Sequence, residues 1–535
     1  MKTMISSIIL ASCLALPLAS CSDSDVAPEQ KDWSTTTYFY SADAAMQDTY
    51  YKPTVGYVGD PMPFFDPVAG DFKVLYLQDF RPNPEGTYHP IWGVSTKDAA
   101  HYTSLGELVS CGTKKSQDAA IGTGSTIYDE SSKLYYTFYT GNKYLPTGDE
   151  SAQAVMVATS ADFKTWTKDR TFLLKGQDFG YDKTDFRDPF VFKGDDGKFH
   201  MLVSTKKGGK GSLAEFVSDD LKNWTDNGVF MTMMWDRFYE CPDLFKMGDY
   251  WYLVYSEIHH AVRRVQYFKG RTLDELKACT ANDAGRWPDA HEGFLDSRGL
   301  YAGKTASDGT NRYLWGWCPT RSGKDNTAVG ASPAEPEWGG NLVCYKLIQH
   351  EDGTLTLGQV DAVSEKYNQD VAVEVKESQN MTEADGTYTL AGNVEQPDAY
   401  MLMGRLGNHN KISFTVTTSN EWDKFGISMV RGSDSKKYYT MVVNPENEND
   451  RKINFEEQGV EGKGFIAGID GYVFARPADN VYNITIYTDN SICVMYINDV
   501  CSYTNRIYGI QKNCWSINSY NGANVKISNL QISQY

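Results

Sequence analysis

The sequence predicts an all-β fold, a five-bladed β-propeller followed by a C-terminal β-sandwich, and three observations carry that expectation. One strand-pair design recurs five times at a spacing of roughly sixty residues. Its strands alternate with period two between Gly- and Asp-rich turns. Past about residue 365 the repeat gives way to shorter alternating strands.

Ahead of the repeats, Lys2 gives a positive start and Ile8 to Leu18 a short apolar run ending in small residues, the pattern of a signal peptide over 1–20. The run is too short to cross a bilayer. Leu18-Ala19-Ser20-Cys21 resembles the lipobox of bacterial lipoproteins, which implies an acylated Cys21 and a flexible tether over 21–39. Ser22-Asp23-Ser24-Asp25 resembles the signal that sends such lipoproteins to the outer surface of some Gram-negative cells. The expected location is therefore a lipid anchor at the outer membrane, with the membrane touched only there.

The propeller is expected over 40–355. Its repeats start at Asp60, Gly124, Arg187, Glu240 and Gly299, separated by 64, 63, 53 and 59 residues. Each is an apolar strand, a tight polar turn and a second strand rich in aromatics, as in Arg187-Asp-Pro-Phe-Val-Phe leading to Phe199-His-Met-Leu-Val. A further strand pair follows each hairpin, most plainly where the segments ending in Trp166 and Trp224 match, 58 residues apart. Both tryptophans read as structural. Four strands repeated five times, circling a channel, is a propeller pattern. Residues 356–535 are expected to form a linker strap and a sandwich built from strands such as Lys411-Ile-Ser-Phe-Thr-Val and Val481-Tyr-Asn-Ile-Thr-Ile-Tyr.

Composition narrows the function. A formal net charge of -18, with no basic stripe, argues against a nucleic-acid partner. Aromatics at 13%, including 35 Tyr and 12 Trp, suit strands and sugar-stacking clefts alike. The ten cysteines include Cys13 in the signal peptide and Cys21 at the anchor; the other eight show irregular spacing and no CxxC pair. Mostly buried free thiols are expected, and no metal or other cofactor is called for.

The chemistry points to three acids, Asp60, Asp188 and Glu240. Asp60 and Asp188 each precede a proline at the start of an inner strand, and Glu240 opens the corresponding strand of the fourth repeat. A lone Asp-Pro is a common turn opener, but three acids at matching places in different blades should converge at one channel mouth. Crowded carboxylates raise at least one pKa, which supplies the proton donor for glycosidic cleavage.

These residues carry a resemblance. Arg187-Asp188-Pro189 is similar to the Arg-Asp-Pro motif of glycoside hydrolase family 32, the invertases, inulinases and levanases, and Glu240-Cys241-Pro242 to its Glu-Cys-Pro motif. Trp92-Gly93, Gly122-Thr-Gly-Ser125 and Leu314-Trp-Gly-Trp317 add supporting matches. The resemblance implies hydrolysis of β-D-fructofuranosyl linkages in fructans such as levan or inulin, by a retaining double displacement. Asp60 would be the nucleophile, Glu240 the acid/base and Asp188 a stabiliser bonding sugar hydroxyls. Retention requires the Asp60 and Glu240 carboxyl groups about 5–6 Å apart. Arg187 would pair with sugar oxygens or hold the carboxylates, and Cys241 would either tune the acid or be merely buried. Cys241 is expected to be reduced. Ser125 and Trp317 are further substrate-binding candidates.

One departure matters: the family's Asn-Asp-Pro-Asn-Gly stands here as Gly59-Asp60-Pro61-Met62-Pro63. The subsite that holds the fructosyl unit must therefore be completed otherwise, with Gln78, Asp79 and Trp92 as candidates. Asp66, Asp185 and, failing a sugar contact, Asp79 read as turn or supporting groups, and His89, His259 and His260 as structural. Two other readings stay open: an inverting furanosidase of the arabinanase or xylosidase type, which lacks Glu-Cys-Pro, and a non-catalytic glycan-binding lipoprotein.

Overall fold

The computed structural model describes residues 49–80, 88–143, 146–233, 238–257, 264–279, 292–297, 299–321, 336–431, 437–445, 453–456, 476–507 and 509–535. The signal peptide, the tether, Cys21, His259 and His260 lie outside them. All the described residues belong to one unit.

The secondary structure is 60% strand and 5% helix. Antiparallel strands come in successive sets of four. The first is β1 (Tyr57–Asp66), β2 (Asp71–Asp79), β3 (Ile91–Thr96) and β4 (Thr103–Val109). The second is β5 (Ala120–Asp129), β6 (Leu134–Asn142), β7 (Gln153–Ser160) and β8 (Thr167–Lys168). The third is β9 (Phe186–Lys193), β10 (Phe199–Lys207), β11 (Lys210–Ser218) and β12 (Thr225–Thr232). Then come β13 (Glu240–Met247), β14 (Tyr250–Glu257), β15 (Arg264–Gly270) and β16 (Glu292–Phe294), and finally β17 (Tyr301–Ser307), β18 (Arg312–Arg321), β19 (Pro336–Gln349) and β20 (Leu355–Gly358). The first strands touch in a ring, β1 to β5 to β9 to β13 to β17 and back to β1. Pairing of Val58 with Gly340 joins the two ends of the ring in one sheet. This is a β-propeller, and its last strand, β20, runs to Gly358, past the boundary expected at 355.

Local chemistry explains the repeats. The turn between β9 and β10 holds Gly197 at φ 81, a left-handed conformation that glycine adopts without Cβ strain. Between the third and fourth strands an aspartate caps its own turn. Asp162 Oδ1 accepts from the N–H groups of Lys164 and Thr165, both at 2.8 Å. Asp220 does the same for Lys222 and Asn223, and Asp98 for Ala100 and His101. The residue after each aspartate is left-handed: Ala99, Phe163 and Leu221 have φ of 59, 59 and 63. This turn is the repeat that Trp166 and Trp224 mark, and their rings pack edge-on against Phe163 and Phe138.

Residues past 360 form an eight-stranded and a six-stranded sheet whose inner faces share one apolar core. The sandwich is bonded to the propeller. Tyr487, Val494 and Tyr496 pack among Tyr345, Leu347 and Leu355. Arg506 donates to the carbonyl of Cys318 at 2.9 Å and to Asn341 Oδ1 at 2.7 Å. Asp296, fully buried, accepts from Ser502 and Thr504. None of the eight described cysteines is bridged to another, and six of them are buried.

Candidate active site

The first strands share a defect. In β1, β9, β13 and β17 the register slips where two residues face one: Asp60-Pro61, Asp188-Pro189, Cys241-Pro242 and Ala302-Gly303. A bulge is where a strand tolerates proline, because no ladder N–H is lost, and it re-aims the adjacent side chain. Asp188, Cys241 and Ala302 take φ of 58, 53 and 53 there. This corrects the expectation that three acids occupy equivalent places. Asp60 and Asp188 do, but the equivalent residue of β13 is Cys241. Glu240 stands one residue earlier, level with Arg187 and Tyr301.

The ring nevertheless gathers the three acids. Asp60 Oδ1 accepts from the indole N–H of Trp317 at 3.0 Å. Glu240 Oε1 accepts from Arg187 Nη2 at 3.0 Å, and Glu240 Oε2 from the hydroxyl of Tyr301. The rings of Trp317 and Tyr301 meet edge-on at 5.6 Å, so the donors that hold Asp60 and Glu240 touch each other. Asp188 Oδ2 accepts from the N–H of Cys241 at 2.9 Å, which places it beside Glu240. Burial pushes the Cys241 thiol well up, and the charges of Asp60, Asp188 and Glu240 all add to the push, as expected for a thiol among all three.

Arg187 is held on three sides. It bonds Asp185 Oδ1 at 2.7 Å and Gln153 Oε1 at 3.3 Å, and its guanidinium lies 3.8 Å from the centre of the Phe238 ring. Its role here is to hold Glu240.

Burial pushes the Asp188 carboxyl up to about 7; the charge of Glu240 adds to this, while Arg187, Lys304 and the Cys241 N–H oppose it. The sequence leads one to expect a raised carboxyl among the three acids, and burial raises that of Asp188. Because its folded pKa exceeds the unfolded one, the associated stability is complete below the unfolded value of 3.8 and is lost as pH rises through about 7. Asp188→Asn should flatten that slope and add about 1–3 kcal/mol above pH 7. Urea unfolding at several pH values reads this; a slope unchanged in the variant would refute it.

Several candidate sugar contacts are engaged within the fold. Gln78 is fully buried and gives its amide to the carbonyl of Val55. Trp92 belongs to the apolar core, edge-on to Phe80. Ser125 donates to the carbonyl of Pro189 at 2.9 Å and accepts from the N–H of Val191 at 2.8 Å, so it braces the bulge of Asp188. Trp317 is fully buried and orients Asp60. Asp79 sits 3.8 Å from His89 Nε2. Asp66 is a turn group, bonded to the N–H of Val68 and to Tyr135.

The residue sequence reasoning missed is Trp338. A Cβ built on Gly59 would lie 2.2 Å from its ring, so the indole occupies the space beside Asp60 where a larger side chain would project. His89 stacks on it at 4.1 Å, and Trp317 lies 5.9 Å away. Tyr301 was also missed, although its place in the fifth repeat, level with Glu240, was a usable signal.

Comparison with known proteins agrees with this geometry. Residues 50–359 match the N-terminal domain of glycosyl hydrolases family 32, and residues 353–532 the BT1760-like C-terminal domain of that family. An insoluble β-fructofuranosidase isoenzyme of Arabidopsis thaliana is 26% identical over 310 residues, covering 52% of this chain and 50% of that protein. A sucrose-6-phosphate hydrolase of Vibrio alginolyticus is 26% identical over 240 residues, covering 42% and 45%. The chain thus spans about half the length of the curated relatives it matches. Among solved structures, an exo-inulinase from Aspergillus awamori superposes with a TM-score of 0.67 at 16% identity, over 91% of this chain and 98% of that one. Fructan 1-exohydrolase IIa from Cichorium intybus gives 0.67 at 15%, over 91% and 97%. At such identities the superpositions speak for the fold.

Proposed function

This chain belongs to glycoside hydrolase family 32, and from that premise we propose that it hydrolyses β-D-fructofuranosyl linkages of fructans such as levan or inulin, with retention. The observation that carries the reading is the meeting of Asp60 and Glu240 across the Trp317–Tyr301 ring pair, with Asp188 beside them. Asp60 attacks the anomeric carbon, Glu240 protonates the departing oxygen and later deprotonates water, and Asp188 accepts sugar hydroxyls as positive charge develops. We read the ring of first strands as five blades. Incubation with levan, inulin and sucrose, with the anomer of the first new reducing end followed by NMR, tests the reading. Initial release of the inverted anomer, or no new reducing end from any of the three, would overturn it.

Trp338 in this reading forms the wall that the family's asparagine would otherwise border. Gly59→Asn should displace the indole and cut kcat/KM by about tenfold or more, chiefly through KM. Adding Trp338→Ala to Gly59→Asn should relieve the clash and recover part of the loss. A Gly59→Asn enzyme with unchanged KM would count against the wall.

Anchoring through a lipid on Cys21 is part of the proposal and rests on the lipobox-like sequence. Cys21→Ser should shift the protein from the membrane fraction to the soluble one; equal partition of both forms would refute the anchor.

A further inference from the structure

The sandwich face that meets the propeller does not close completely. Tyr487 and Val494 pack into the shared core. Further along the same sheet a groove of about 420 Å³ opens, lined by Gln359, Asp479, Asn483, Thr485, Tyr496 and Asn498 among others. That volume is within the roughly 300–1,000 Å³ of small-ligand sites. Thr485 and Tyr496 face each other across neighbouring strands, and the N–H of Asn483 bonds Asn498 Oδ1 at 2.7 Å. Amides and hydroxyls both donate and accept and a carboxylate accepts, which suits a neutral, hydroxyl-rich ligand. The lining holds no Lys, Arg or His among the described residues, which disfavours an anionic one.

A second observation is independent of the lining chemistry. Tyr496 is only 4% exposed, yet among the described residues its hydroxyl has no hydrogen-bond partner. The hydroxyl reaches the open space of the groove, where a water or a ligand hydroxyl can bond it. The groove it lines is where that partner would sit.

We propose that this groove is a non-catalytic glycan-binding site that holds a stretch of the polysaccharide whose linkages the propeller cuts. The identity of that polysaccharide rests on the fructan reading above; the groove itself shares no residue with the active site. A chain held there would remain attached after a cut, which raises the local concentration of linkages near the enzyme.

The test is electrophoresis of the full chain in native gels cast with levan, inulin or dextran, with sucrose hydrolysis measured in parallel. Levan or inulin should slow the wild type more than dextran does. Thr485→Arg, which fills the groove, and Tyr496→Phe, which removes one hydroxyl with no partner in the fold, should each weaken retention about threefold or more. Their kcat/KM on sucrose should stay within about twofold of the wild type, since neither residue touches the site. Equal retention of both variants, or no retention of the wild type in any gel, overturns the proposal. If levan, inulin and sucrose all stay uncut while the variants still lose retention, the hydrolase reading fails and the groove stands.

Discussion

Asp60→Asn should abolish turnover on levan, inulin and sucrose alike, by on the order of 10⁴-fold or more, the scale of a lost nucleophile. The structure makes this a clean substitution. The carboxamide keeps an oxygen for the indole N–H of Trp317, which reaches Asp60 Oδ1 at 3.0 Å. Pro61 and the bulge between Gly59 and Met62 still aim the side chain, because they belong to the strand. What is lost is the charge that attacks the anomeric carbon, so no glycosyl-enzyme forms and no choice of leaving group restores the rate. Folding should be unaffected, which thermal unfolding checks alongside the assay. Near-normal activity of Asp60→Asn on any of the three substrates would show that the nucleophile is elsewhere.

How far the sequence could be read depended on whether a feature was local. The Asp-Pro and Cys-Pro pairs stand out in one dimension because proline within a strand marks a bulge, and the bulges are what aim Asp60, Asp188 and the neighbour of Glu240. The self-capping aspartates at 98, 162 and 220 likewise sit within three residues of the groups they cap, so the repeat they create was visible at Trp166 and Trp224. The contacts that complete the site are not local. Trp317 and Trp338 lie more than 250 residues from Asp60 and Gly59, and only closure of the ring, with Val58 paired to Gly340, brings them together. No spacing rule announces that an indole fills the room left by Gly59. The same limit hid the partners of Gln78 and Ser125. Both are polar and close in sequence to functional strands, but Gln78 points into the interior to bond Val55, and Ser125 points across to the next blade to brace Pro189. The raised pKa was expected from crowding, yet which acid carries it depends on burial, and Asp188, at 4% exposure, is the most enclosed of the three.

Glu240→Gln should fail in a way that Asp60→Asn cannot imitate, because an acid/base group works twice. In the first step it protonates the departing oxygen, and in the second it takes a proton from the attacking water. Its surroundings suit both states. Arg187 donates to Oε1 throughout, while the hydroxyl of Tyr301 can donate to a carboxylate and turn to accept from a carboxylic acid. Glutamine can do neither proton transfer, so turnover of levan, inulin and sucrose should fall by about 10²–10⁴-fold. A fructosyl substrate whose leaving group is already acidic needs no proton to depart. On that substrate the first step should survive, giving a burst of released leaving group equal to the enzyme present, followed by a stall while the fructosyl-enzyme awaits water. Azide, a nucleophile that needs no base, should relieve the stall and yield fructosyl azide with the configuration of the substrate. A rate on the activated substrate that falls as far as the rate on levan, with no burst and no azide product, would remove Glu240 from the acid/base role and leave Arg187 and Tyr301 serving another group.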